Sequence, residues 1–153
     1  MEKEDLIRYF NENLFIPNLK AHTKEECLVE LVQKFEEQKL IKSPEIVLEM
    51  LRKRETLGST GIGKGIAIPH GRTTAAKDVM IAFAKSEEGI DYEAMDGKPV
   101  HFIFMVIAPP QEQSNIYLPV LGKLVEVLNN GKNRKRLKKV ETFQELEAFF
   151  KEA

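Results

Sequence analysis

Tryptophan is absent from this 153-residue chain, and cysteine occurs once, as Cys27. A single thiol excludes an internal disulfide framework and a zinc site built from cysteine alone. No apolar run is long enough to span a bilayer. The opening Met1-Glu2-Lys3-Glu4-Asp5 lacks the basic start and apolar stretch of a signal peptide. Net charge is nearly missing too, since 23 Lys plus Arg against 24 Asp plus Glu leave −1. That balance disfavours a strongly basic nucleic-acid binder. No set of His, Asp and Glu has metal-ligand spacing, so no metal is expected. Solenoid-length repeats, low-complexity stretches and linkers are also lacking. The remainder, with 42% apolar residues, has a globular composition. The expectation is one cytoplasmic domain over residues 1–153, with no nucleic-acid partner and no membrane insertion.

The periodicity describes alternating helices and strands. Thr23-Lys24-Glu25-Glu26 has capping-box form and precedes Cys27, Leu28, Leu31, Val32 and Phe35 at helical spacing. This makes Cys27 a small apolar core residue rather than a reactive thiol. Ser43-Pro44 reads as a cap and first position of a second helix, with Val47, Met50 and Leu51 inward and an end near Leu57-Gly58. Val79 to Ala84 and Val100 to Ala108 are continuous apolar runs, as in strands covered on both faces. In the second, Val100, Phe102 and Phe104 should share one face, and His101, Ile103 and Met105 the other. Ile66 to Ile68 and Leu14 to Ile16 are shorter strand candidates. A helix carrying Tyr117, Val120, Leu121, Leu124, Val125 and Leu128 should end near Gly131, and Thr142 to Glu145 forms a second capping box. The pattern predicts an α/β sandwich, a mixed β-sheet flanked by helices.

The chemistry concentrates between Arg54 and Gly71. Gly58 to Lys64 fits the first seven positions of a phosphate-binding P-loop, but Gly65 stands where Ser or Thr should hold magnesium. A helix precedes the loop and a strand follows it, the reverse of the P-loop context. The dinucleotide pattern also fails, because Gly61-Ile62-Gly63-Lys64-Gly65 places its third glycine one residue early. Both nucleotide readings are rejected. The loop nonetheless suits an anion, since glycines admit close backbone approach and Ser59 and Thr60 bring hydroxyls. An ordinary turn between helix and strand is the plainer account.

Arg54 follows Met50 by four residues and so extends the inward stripe. It is either a cation at a helix C-terminus or a guanidinium aimed at a phosphoryl group. His70 lies between Pro69 and Gly71, which fix its approach and leave its imidazole uncrowded. Such a histidine suits nucleophilic work near neutral pH, although a lone histidine is more often structural.

Leu57-Gly58-Ser59-Thr60-Gly61-Ile62-Gly63-Lys64-Gly65-Ile66-Ala67-Ile68-Pro69-His70-Gly71, preceded by Arg54-Glu55, resembles the active-site signature of fructose/mannitol-type enzyme IIA domains. These belong to the phosphoenolpyruvate-dependent sugar phosphotransferase system, and nitrogen-regulatory IIA proteins share the signature. The helix start at Thr23, the Asp96-Gly97-Lys98-Pro99-Val100 strand entry and the Ala108-Pro109 exit match as well. The resemblance implies the mannitol-type IIA fold. It implies that His70 accepts a phosphoryl group from HPr or a paralogue and passes it to a IIB domain. Arg54 would hold the phosphoryl oxygens, and the loop Gly58, Ser59, Thr60 and Gly61 would line the pocket, with no cofactor required. The alternatives are a stand-alone regulator whose phosphorylation controls binding to a target protein, and a binding module that transfers nothing. The family's second histidine is matched here by Tyr117, which either donates a hydrogen bond or fills the core. His22 and His101 are expected to be incidental. The basic stretch Lys132 to Lys139 reads as a solvated helical face, with docking of an acidic partner as the alternative.

Overall fold

The computed structural model describes all residues, 1–153. A 3-10 helix, Lys3–Tyr9, leads into β1 (Phe10–Ile16), then α1 (Lys24–Glu37) and α2 (Pro44–Thr56). Three short strands follow, β2 (Gly61–Gly63), β3 (Ile66–Ala67) and β4 (His70–Arg72). The long strands β5 (Met80–Ile90) and β6 (Val100–Ala108) come next, and α3 (Tyr117–Leu128), α4 (Gly131–Leu137) and α5 (Phe143–Glu152) close the chain. The mixed sheet runs β1-β5-β6-β3-β2, with β4 also on β6. β5 and β6 pair antiparallel, while β1 is parallel to β5, and β3 and β4 are parallel to β6.

β6 explains its own continuous apolar run. Ile103, Met105 and Ile107 face a core capped by α1 and α2, with Cys27, Leu31, Phe35, Val47 and Leu51. Phe102, Phe104, Val106 and Ala108 face a second core made with α3, α4, α5 and the 3-10 helix. Phe104 is its aromatic centre, ringed by edge contacts to Phe83 and Phe150 at 5.1 and 6.3 Å between centroids. Burial on two faces selects an unbroken apolar strand instead of an alternating one.

Val100 is a correction, since it joins the α1/α2 core and not Phe102 and Phe104. The ladder shifts register between the Lys85 and Ile90 pairings, and the N–H groups of His101 and Phe102 both donate to the Gly65 carbonyl. Two residues facing one break the alternation there.

The helix starts follow their caps with two further corrections. Thr142 and Glu145 complete a reciprocal capping box on α5. On α1, Thr23 accepts from the Glu26 N–H, but the Glu26 carboxylate reaches the N–H of His22 instead of closing the box. Ser43 does not cap α2; it sits at φ +44° and its hydroxyl makes no cap bond, leaving Pro44 alone to start the helix. The helix expected to end near Gly131 ends at Leu128, and Asn130 accepts from Lys132 and Asn133 to open the separate α4. The first expected strand also runs on to Ile90, with Lys85 Nζ donating to the Lys138 and Val140 carbonyls at 2.8 and 2.9 Å. No helix is long and apolar enough to cross a membrane.

Candidate functional site

His70 opens β4 rather than ending the Ile66–Ile68 strand, and pairs with Val106 on β6. Its half-buried ring folds back so that Nδ1 lies 2.6 Å from the carbonyl oxygen of Ile68. A carbonyl only accepts, so Nδ1 carries the proton and the lone pair is on Nε2. Burial, chiefly, and then the positive charge of Arg54 hold His70 below the ordinary imidazole pKa, against the carbonyl contact and the Glu55 charge. That direction favours the neutral ring, the form a nucleophile needs.

Arg54 closes the last turn of α2, its Nη1 donating to the Gly58 carbonyl at 3.0 Å. One donor is used on the helix end, and the planar fork has others for an anion. The neighbouring Glu55 is a tie between segments. Its side chain, 7% exposed, meets Lys24 Nζ at 3.2 Å and accepts from the Thr60 backbone at 3.1 Å and the Thr60 hydroxyl at 2.5 Å. Thr60 Oγ1 also lies 2.9 Å from the hydroxyl of fully buried Tyr92. The Thr60 hydroxyl thus points inward, and Ser59 Oγ accepts from the Gly61 N–H at 3.0 Å.

Half of the glycine-rich stretch is a hairpin. Lys64 and Gly65, both at positive φ, join antiparallel β2 and β3 as a type I′ connection requires. The loop follows the C-terminal end of α2, whose dipole is negative, whereas phosphate cradles use the opposite helix end. The rejection of a P-loop therefore has a structural basis as well.

Tyr117, at the start of α3, is 6% exposed and its ring centroid lies 6.4 Å from that of His70. Burial pushes its phenol up to about 12, with the charges of Arg72 and Arg54 pulling the other way. The structure thus gathers His70, Arg54 and Tyr117. Arg72, two residues beyond His70, sits over the Tyr117 ring at 4.6 Å and was not singled out from the sequence. The signal was its i+2 spacing from His70 on a strand, which puts both on one face. Pro119 falls in the first turn of α3, where its missing N–H costs nothing.

The other histidines lie elsewhere. His22 is exposed, and His101 is engaged through Nδ1 with the Ser86 carbonyl at 2.9 Å. The largest surface depression is lined by Lys85, Ser86, His101 and Lys138, toward the other end of β6. His70 does not line that depression, and its ring is half-buried.

The fold is that of the mannitol-type IIA proteins. The solution structure of the complex of IIA mannitol and phosphorylated IIB mannitol from Escherichia coli contains a chain that aligns at TM-score 0.75 and 20% identity, over 94% of this chain and 99% of that one. The family model "Phosphoenolpyruvate-dependent sugar phosphotransferase system, EIIA 2" matches residues 8–153, and the chain belongs to that family. The crystal structure of nitrogen regulatory protein IIA-Ntr from Neisseria meningitidis aligns at TM-score 0.86 and 31% identity, covering 95% of this chain and 98% of that chain. The fructose-specific EIIABC component of Bacillus subtilis (strain 168) is 36% identical over 125 residues, 82% of this chain. This chain spans only 20% of that longer protein.

Proposed function

We propose that the chain is a phosphoryl carrier in which His70 Nε2 is the accepting atom. The observation that carries this reading is the 2.6 Å contact between Nδ1 and the Ile68 carbonyl, which leaves Nε2 as the free nucleophile. Its lone pair attacks the phosphorus of a phosphohistidine on HPr or a paralogue. The new N–P bond forms as the donor's P–N bond breaks, and the electron pair leaves with the donor imidazole. The proton stays on Nδ1 against Ile68, so the phosphorylated ring is cationic and leaves as a neutral imidazole in the next transfer, to a IIB domain. Arg54 supplies donors to the phosphoryl oxygens, and positioning plus charge does most of the catalytic work. A half-buried ring that keeps part of its surface open suits donors and acceptors borne on proteins.

The likeness to IIA-Ntr over nearly all of both chains supports a second version, a regulator whose phosphorylation state governs binding to a target protein. Both versions require the same first step. Incubation with phosphoenolpyruvate, enzyme I and HPr should add one acid-labile phosphoryl group to the intact mass. His70→Ala should abolish it, and His22→Ala and His101→Ala should not. No modification while HPr itself is phosphorylated would point to a different donor or to a binding module that transfers nothing.

A further inference from the structure

Beside His70 the structure holds a second guanidinium that the signature does not include. His70 and Arg72 project from the same face of β4, two residues apart. The Tyr117 ring spans both, 6.4 Å from the His70 ring and 4.6 Å from the Arg72 guanidinium carbon. Arg72 is also fixed from behind, since Nη1 donates to the Pro110 carbonyl at 2.9 Å and lies 3.6 Å from Glu112 Oε2. That carboxylate is itself anchored, its other oxygen accepting from the N–H groups of Ile116 and Tyr117 at the start of α3. Oε2 is buried and has no hydrogen-bond partner. An Arg72–Glu112 separation of 3.6 Å is too long for a hydrogen bond. The arginine is therefore oriented by charge and by the aromatic face, while most of its donors stay uncommitted. The Tyr117 phenol feels Arg72 from one element and Arg54 from another, which brings two cations to the place where His70 would carry a phosphoryl dianion.

We propose that Arg72 is a second phosphoryl-contacting residue, seated on the face of Tyr117 and held by Glu112, and that it shares the phosphoryl oxygens with Arg54. The Tyr117 ring, not its hydroxyl, is what this site needs. The proposal rests on His70 being the phosphoryl acceptor, and its test separates the two. Phosphoramidate is a small donor that needs no protein docking: Nε2 attacks phosphorus, the P–N bond breaks and ammonia leaves with the electron pair. Labelling of wild type and variants by HPr phosphohistidine and by phosphoramidate is followed by intact mass, with melting curves as a fold control.

Arg72→Ala is expected to slow both reactions by roughly 10- to 100-fold, less than loss of a fully enclosed donor because the Arg72 side chain is 37% exposed. Arg72→Lys should recover part of the rate, and it serves as the second variant if Arg72→Ala melts early. Tyr117→Leu should slow labelling about as much as Arg72→Ala, whereas Tyr117→Phe, which keeps the ring, should retain clearly more of the rate than Tyr117→Leu. Slowing with HPr alone would make Arg72 a docking residue and overturn the proposal, as would unchanged rates with both donors. Equal losses in Tyr117→Phe and Tyr117→Leu would assign the role to the hydroxyl and overturn the ring seat. If wild type labels at neither donor, or labels at a residue other than His70, the carrier reading itself falls first.

Discussion

Gly71 follows His70, and a methyl group there would collide with α2. A Cβ on Gly71 would stand 1.9 Å from Met50 Sδ, 2.9 Å from its Cε and 3.2 Å from its Cγ. Ordinary contact starts near 3.4 Å, so the sulfur must retreat by about 1.5 Å. Met50 is flexible but packs partly buried against the α1/α2 core, so the strain is relieved only in part. Overpacking of this kind costs about 1–3 kcal/mol, or roughly 3–9 °C in Tm for a domain of this size. Arg54 lies one turn beyond Met50, so the same push displaces it relative to His70 and should slow labelling. The assay is a set of thermal melts and labelling rates for Gly71→Ala, Met50→Ala and the double variant. Met50→Ala makes room, so the double variant should be no less stable than Met50→Ala alone, a coupling of about 1 kcal/mol or more. Strictly additive losses, or an unchanged Tm in Gly71→Ala, would refute the steric argument.

Because burial and Arg54 hold His70 below 6.5, its labelling rate by phosphoramidate should fall only at a pH below 6.5, and Arg54→Gln should move that inflection upward. The same shift has a stability consequence of definite sign. The unfolded chain binds the proton first as pH falls through 6.5, so His70 contributes stability above that pH and loses it below, a slope that His70→Gln removes. Glu55→Gln should lower stability by about 1–3 kcal/mol, since partly buried Lys24 loses its counter-charge and one of the two oxygens that accept from Thr60 becomes an NH2 group, which cannot. Lys24→Met in that background should restore part of the loss, and a further fall in Tm would count against the pairing. Cys27, fully buried and with its thiol pushed up by that burial, should react with a disulfide reagent only as fast as the domain opens. Rapid reaction in the absence of denaturant would contradict the packing of α1.

Local chemistry made some parts of the fold readable and left others silent. The Thr142 box and the helical spacing of Cys27, Leu28, Leu31, Val32 and Phe35 report interactions within a few residues, and both appear as read. Ser43 misled because its identity favours a cap while its backbone, turned to φ +44°, points the hydroxyl away. The three-residue strand β4 has too few residues to show a period, and it exists through pairing with β6, more than thirty residues later. At the site, the inward stripe did place Tyr117, and its position next to His70 follows the family match. Thr60 differs in kind: its hydroxyl is drawn inward by Glu55 and Tyr92, and Tyr92 is remote in sequence. Glu112 could have been marked as a carboxylate just ahead of a helix start, where free N–H groups attract it.

The placement of β4 on β6 also sets an order of events during synthesis. His70 leaves the ribosome well before Val106, the residue its strand must pair with, and before Tyr117 on α3. The strands β3 and β4 have no earlier neighbour in the sheet except short β2, so they wait for β6. Such parallel, non-local pairing is slow to form and comes late. A nascent chain that already displays its histidine thus lacks both the β6 pairing that seats it and the Tyr117 ring beside it. The His70 site matures nearly at once with the whole molecule, and fragments ending before residue 108 should take up label no faster than the unfolded chain.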